Sequence, residues 1–198
     1  GRIAARSGPT FAAEVGRGLP AAAVVAAPDA AVAAAVQRLL SGPTFRLYVT
    51  TDLLGVELAG AVKNVVAIAA GVADGLALGA SARASLITRG LAELSRLGRA
   101  LGARPETFAG LAGVGDLLLT CSSDLSRNRT VGLELGRGRG LPEILAGRRT
   151  VAEGVETARA VKAVAARLGV ETPICAQVHA ILFEGRAPRE ALTLLMTR

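Results

Sequence analysis

The sequence predicts a mainly α-helical chain that opens with a small α/β piece. Three observations carry this reading. Strand-like runs occur only before residue 50. After Thr51 they stop, and apolar residues recur at three- and four-residue intervals. Residues 56–68 are apolar on nearly every side, which is the pattern of a helix buried at the centre of a helical body.

Ser7-Gly8-Pro9-Thr10-Phe11 reads as a turn before a short helix over 12–17, with Pro9 in its first turn and Ser7 as cap. Residues 22–27, with Val24-Val25 and bounded by Pro20 and Pro28, read as a buried strand. Asp29 caps a helix to about Leu40, with Val32, Val36, Leu39 and Leu40 on one face, and Gly42-Pro43 ends it. Residues 45–49 alternate as a second strand. The strand–helix–strand piece, residues 1–50, reads as the incomplete end of an α/β domain, with a boundary near Thr50-Thr51 and a helical domain over 51–198.

In the helical part Asp52 caps the central helix, which is expected to run to about Ala70 before the glycine-rich 71–79 breaks it. Residues 81–101 form a long amphipathic helix, with Ile87, Leu91, Leu94, Leu97 and Leu101 on its apolar face and Gly102 as its stop. Pro105 opens a short helix, and Gly113-Val114-Gly115-Asp116 is expected to be a loop. Further helices are expected over 128–135, 142–146, 155–168 with Gly169 as stop, 173–183 and 188–196, the last two each opened by a proline.

A chain of 198 residues suffices for one sizeable domain, or for one domain and part of another. It begins with Gly1 and no signal peptide opens it, so it reads as a fragment. The longest apolar region, 56–80, is interrupted by Glu57, Lys63, Asn64 and Asp74, which argues against a membrane span. Cys121 and Cys175 lack metal or redox spacing and His179 is the only histidine, so no metal site is expected and the free thiols fit a cytoplasmic protein. The net charge of +7 favours anionic partners. Lys63 and Lys162 are the only lysines, so 21 of the 23 basic residues are arginine, a bias that with the many Ala and Gly reflects base composition more than a nucleic-acid footprint. Aromatics at 3% give a base-stacking surface little to work with.

Lys63 stands out within the apolar helix. A lysine is almost never fully buried without a partner. Positioned beside Ala59, Gly60 and Ala61, which leave room for close approach, it could exchange a proton during a reaction; the alternative is a lysine snorkelling from the core beside a capping Asn64. Asp116 is a candidate partner for its charge, or else a plain helix cap. Ser126-Arg127-Asn128-Arg129 sets a hydroxyl, a guanidinium fork and an amide at a helix start, which suits an anion; the alternative is Ser126 as cap with two solvated arginines. Glu153, in an expected loop, could accept from hydroxyls or stand solvated as a lone acid, and His179 is expected to be packed. The glycines of 136–140 follow no strand and so do not form a dinucleotide fingerprint.

Ser7-Gly8-Pro9-Thr10-Phe11-Ala12, Gly60-Ala61-Val62-Lys63-Asn64, Thr88-Arg89-Gly90-Leu91-Ala92-Glu93, Gly113-Val114-Gly115-Asp116-Leu117, Thr120-Cys121, Ser126-Arg127-Asn128-Arg129 and Val151-Ala152-Glu153-Gly154 occur in one order. From about Ser7 to the C-terminus the chain resembles the bacterial NAD(P)-dependent glycerol-3-phosphate dehydrogenases. The resemblance implies an all-helical substrate domain of the 6-phosphogluconate-dehydrogenase C-terminal type, preceded by the remnant of a Rossmann domain. It implies hydride transfer between NAD(P)H and dihydroxyacetone phosphate, giving sn-glycerol 3-phosphate for phospholipid synthesis. Residue by residue, it implies Lys63 as the catalytic proton donor and acceptor; Gly8, Thr10, Asp116, Ser126, Arg127 and Asn128 on the substrate side with Lys63; and Ala12, Arg127, Val151 and Glu153 as cofactor contacts. The family's Gly-rich fingerprint is absent from this sequence, so the chain alone is expected to be inactive. The apolar helices also allow a homodimer. Two other readings are a dehydrogenase acting on hydroxy acids, which would need a carboxylate site where this cradle suits phosphate, and a basic helical module that binds nucleic acid.

Overall fold

A computed structural model describes residues 3–146 and 152–197. The chain opens with β1 (Ala5–Ser7), α1 (Ala12–Val15), β2 (Ala21–Ala26), α2 (Ala30–Leu40) and β3 (Phe45–Thr50). The three strands form one sheet in the order β1-β2-β3. β2 and β3 run parallel, from Ala21 against Phe45 to Ala26 against Thr50, with α2 as the crossover that a parallel pair requires. β1 pairs antiparallel with β2, Ala5 against Ala26 and Ser7 against Val24. This third strand is not legible in the sequence: Ala-Arg-Ser has no β-branched residue, and backbone pairing to β2 alone defines it.

α2 is capped as expected, the Asp29 carboxylate accepting from the Ala31 N–H at 2.8 Å. Its buried face is narrower than the apolar pattern implies. Ala33, Val32 and Val36 pack on Ala23, Val25, Ala27 and Leu47, whereas Leu39 and Leu40 are exposed at the end of the helix.

The helical part is built round α3 (Leu53–Gly75), on which α4 (Gly79–Ala100), α6 (Asp116–Ser122), α7 (Arg127–Gly136), α9 (Glu153–Leu168) and α10 (Pro173–Phe183) all pack. α5 (Pro105–Ala109), α8 (Leu141–Ala146) and α11 (Pro188–Met196) complete it. Every residue of α3 from Val65 to Ala73 is buried. By length and composition α3 could cross a membrane, but here it is the core helix.

Two expectations fail in this part. α3 does not break after Ala70 but continues through Gly71 to Gly75. A glycine inside a helix costs roughly 0.5–1 kcal/mol, and contact with α7 offsets that cost. A Cβ on Gly71 would lie 2.0 Å from the Arg129 carbonyl, on Gly75 2.4 Å from that of Leu133, on Gly132 1.9 Å from that of Ile68, and on Gly136 2.5 Å from that of Val72. The two backbones therefore touch with no side chain between them. Residues 113–116 are not a loop either: Leu111–Gly115 is a π-helical turn that runs directly into α6, so Asp116 stands in the first turn of a helix.

The start of α10 is held by a residue the sequence reading left without a role. Glu93, 2% exposed, accepts from the N–H groups of Ile174 at 2.6 Å and Cys175 at 3.1 Å. Burial pushes its carboxyl above the usual range despite these bonds.

Candidate functional site

The turn after β1 faces α3, α6, α7 and the start of α9 across a cleft. Two adjoining cavities of about 550 and 500 Å³ occupy it, and Thr10, Lys63, Asn64, Asp116, Arg127 and Glu153 line both. A broader depression of about 1010 Å³ lies along α4, lined by Arg89, Arg96 and Arg99 with Glu171, but all three arginines are exposed and it holds no buried titratable pair.

Lys63 points from α3 into the cleft, its Nζ 2.7 Å from Oδ1 of Asp116. The lysine is about one-fifth exposed and the aspartate almost wholly buried. The carboxylate is filled from all sides. Its Oδ2 accepts from the Ser7 hydroxyl at 2.9 Å and the Gly8 N–H at 3.1 Å, and the Thr120 hydroxyl lies 3.3 Å from Oδ1. Asp116 is therefore an anchor for the ammonium whose oxygens the protein itself occupies.

Gly8 is built for this contact. Its φ is +151°, and a Cβ there would sit 2.7 Å from the Ala23 Cα. Only glycine lets the turn lie against β2 and aim its N–H at Asp116. The small residues before Lys63 serve the same approach. What comes close to Gly60 is Ser7 of the same chain, 3.1 Å from where a Cβ would be. Thr10 is fixed between Arg6 and the Gly8 carbonyl, at 2.8 and 3.2 Å, and Ala12 lines the second cavity beside Phe11.

On the opposite wall Ser126 caps α7, its hydroxyl accepting from the Arg129 N–H at 3.2 Å. Asn128 is buried and its Oδ1 accepts from the Gly154 N–H at 2.9 Å, which fixes the start of α9 beside α7. Arg127 reaches Glu153 at 2.7 Å, both half-exposed. Exposed pairs of this kind contribute little to stability. Glu153 is thus neither a loop residue nor a lone acid; it is the first residue of α9 and is paired. Arg129 is not a solvated arginine. It is buried and bound to Asp74 and Asp124. Val151 lies outside the described residues.

Arg6, Ser7, Asn64 and Thr120 also line or brace the cleft and had no assigned role in it. Thr120 lies four residues after Asp116, a helical spacing that could have found it. Ser7 is 109 residues away and gave no such signal. Cys121, just beyond, is inert as a nucleophile, because burial pushes its thiol up to about 12. Outside the cleft, His179 is packed as expected, its ring 5.0 Å from that of Phe183 and its Nδ1 3.1 Å from Glu184. Among the described residues no group of three or more His, Cys, Asp or Glu is placed to hold a metal ion.

A parallel strand–helix–strand thus leads into a helical body whose central helix belongs to a polar cleft shared with the turn after β1, an α/β-plus-helical class of architecture. Comparison with known proteins narrows the class to one family. Residues 52–193 match the NAD-dependent glycerol-3-phosphate dehydrogenase C-terminus, and the chain belongs to that family. It is 58% identical over 192 residues to a glycerol-3-phosphate dehydrogenase [NAD(P)+] of Geobacter sulfurreducens, covering 97% of this chain and 57% of that protein. The crystal structure of the glycerol-3-phosphate dehydrogenase of Coxiella burnetii matches all of this chain and 61% of its own, with a TM-score of 0.97 at 44% identity. The solved structure of a glycerol-3-phosphate dehydrogenase of Saccharomyces cerevisiae matches 96% of this chain and 58% of its own, with a TM-score of 0.83 at 27% identity. The chain thus spans about three-fifths of the length of the relatives it matches.

Proposed function

We propose that the chain is the substrate-binding and proton-handling part of a glycerol-3-phosphate dehydrogenase [NAD(P)+], which reduces dihydroxyacetone phosphate to sn-glycerol 3-phosphate in the cytoplasm for phospholipid synthesis. The observation that carries the reading is the Lys63–Asp116 pair at the floor of a cleft walled by Arg127. Reduction of a ketone leaves an alkoxide that needs a proton. The Lys63 ammonium stands in the cleft to give it, and takes it back in the reverse direction. Asp116, locked by Ser7 and Gly8, keeps that ammonium in place. The dianionic phosphate goes to the start of α7. There Arg127 exchanges Glu153 for phosphate oxygens, and the helix start favours the negative charge. Ser126 and Asn128 hold this wall, and Gly8 and Thr10 face it on the substrate side.

NAD(P)H supplies the hydride when bound. The residues fit one edge of it: Ala12 beside Thr10 leaves open space in the second cavity, and Glu153 offers a carboxylate to hydroxyl groups there. Val151, which lies outside the described residues, is proposed as a cofactor contact on the resemblance alone. In this reading residues 1–50 are the end of the nucleotide-binding domain and 51–198 the substrate domain.

The test uses a full-length protein of the relatives' length that carries this segment. Lys63→Met should depress kcat and kcat/KM together by about 10²–10⁴-fold, the range of a positioned acid–base group. Arg127→Ala should mainly raise KM for dihydroxyacetone phosphate, by about 10- to 150-fold, as expected for one charged hydrogen bond. Against unphosphorylated dihydroxyacetone Arg127→Ala should lose little and Lys63→Met as much as before. Near-normal kcat in Lys63→Met, with equal losses on both ketones in Arg127→Ala, would return Lys63 to a plain core lysine.

A further inference from the structure

Arg129 is held by two carboxylates close to the cleft, yet it lines neither cavity. It stands two positions after Arg127, and two helical positions turn a side chain through about 200°. Arg127 therefore faces the cleft while Arg129 faces back to α3. Its Nε and Nη2 lie 2.8 and 2.7 Å from Oδ2 of Asp74, and its Nη1 lies 2.6 Å from Oδ1 of Asp124. Arg83 of α4 takes the other oxygen of Asp74 at 3.0 Å. Asp74 stands on the helix that carries Lys63, eleven residues further on or about 16 Å along the axis. Asp124 precedes the cap of α7 and is otherwise almost fully exposed.

The glycine contact between α3 and α7 sets how closely the two helices approach, and among the described residues no backbone hydrogen bond crosses it to add direction. The Arg129–Asp74 bond supplies that direction, and Asp124 ties in the segment that leads to Ser126.

We propose that Arg129 is a positioning residue, which through Asp74 and Asp124 sets where the first turn of α7, and with it Arg127 and Asn128, stands relative to Lys63. The inference rests on the assignment of phosphate to Arg127. It makes the distance between proton donor and phosphate grip depend on a side chain that touches neither.

Arg129→Lys keeps a charge for Asp74 but cannot bridge both carboxylates. Asp124→Ala removes an exposed carboxylate and leaves the core intact, so it carries the test if the first variant does not fold. In the full-length enzyme, Arg129→Lys should raise KM for dihydroxyacetone phosphate by about 10-fold and Asp124→Ala by about 3-fold, since small misplacements of a binding group are costly. In both variants kcat/KM for unphosphorylated dihydroxyacetone should stay within about 2-fold of the parent, because Lys63 is not displaced. Equal losses on both ketones, or a lower melting temperature with unchanged KM, would overturn the inference and leave Arg129 a structural residue. Arg127→Ala separates the two claims. If it does not discriminate between the ketones, the phosphate assignment fails first; if it does and the Arg129 and Asp124 variants do not, only the positioning inference fails.

Discussion

Residues 3–50 and residues 52–197 bury their apolar side chains by different means. The first region has a thin core of Ala23, Val25, Ala27, Ala33 and Leu47, and the outer edges of β1 and β3 have no strand partner among the described residues. The second wraps five helices round α3 and buries large side chains such as Phe108, Ile68, Leu94 and Leu117. The first region therefore depends on its neighbours, whereas the second carries its own core. The cleft draws on both: the ammonium of Lys63 belongs to the helical region, but the Ser7 and Gly8 donors that lock its counter-ion come from the end of β1 and the turn after it.

The sharpest way to break this comparison is to add one methyl group to each region. In the helical region, Gly132→Ala would force a carbon to within 1.9 Å of the Ile68 carbonyl. In the α/β region, Gly42→Ala would meet nothing within 4 Å. Chemical denaturation should show Gly132→Ala destabilised by about 3 kcal/mol or more, or failing to fold, and Gly42→Ala within about 0.5 kcal/mol of the parent. Similar small losses at both sites would mean that α3 and α7 are not in backbone contact.

A smaller effect is expected where the regions join. Asp52 accepts from the Gly55 N–H at the head of α3, from the Arg104 N–H and from the Thr107 hydroxyl, at 3.0, 3.0 and 2.5 Å. Asp52→Ala removes a helix cap and a charged acceptor together and should cost about 2–3 kcal/mol. The loss should depend on pH. Burial alone would raise this carboxyl, but the Thr107 hydroxyl and the Arg104 and Gly55 amides outweigh it and hold it below the usual carboxylate range. A group lowered on folding contributes fully above its unfolded value, about 3.9 for Asp, and loses that contribution as pH falls through the folded value. The gap between parent and variant should therefore narrow as pH falls below about 4. A gap that does not change with acidification would contradict the bonds assigned here.

The smallest effect separates the regions without any substitution. Amide hydrogen exchange should show β2 at least about tenfold less protected than the middle of α3, a difference of about 1.4 kcal/mol in opening free energy. Equal protection would show that the sheet is as firmly held as the helical core, unless another chain completes its edge.

Elements that end on a local signal could be read from the sequence: α10 and α11 each open on a proline, Asp29 caps α2, and Gly102 and Gly169, both at positive φ, stop α4 and α9. Features that depend on a distant neighbour could not. β1 exists because β2 lies beside it, α3 passes Gly71 because α7 covers it, and Leu39 and Leu40 carry an apolar pattern yet stand exposed. The site divides in the same way. A buried lysine needs an anion, and that argument together with the Gly113-Val114-Gly115-Asp116 motif pointed to Asp116. It could not supply the Ser7 hydroxyl, nor the acids that Arg129 meets on α3 and before α7, because these depend on how separate segments meet, although the two-residue helical spacing already turns Arg129 away from Arg127.

The glycine contact between α3 and α7 also limits how the chain can change over generations. Any replacement for glycine is larger, so single substitutions at Gly71, Gly75, Gly132 and Gly136 can only add atoms where backbone already stands. A tight pair of side chains can be repaired by shrinking the partner. Here the partner is a carbonyl, which cannot be made smaller. These four positions are therefore closed to drift one step at a time, and the route open to variation is to move both helices together.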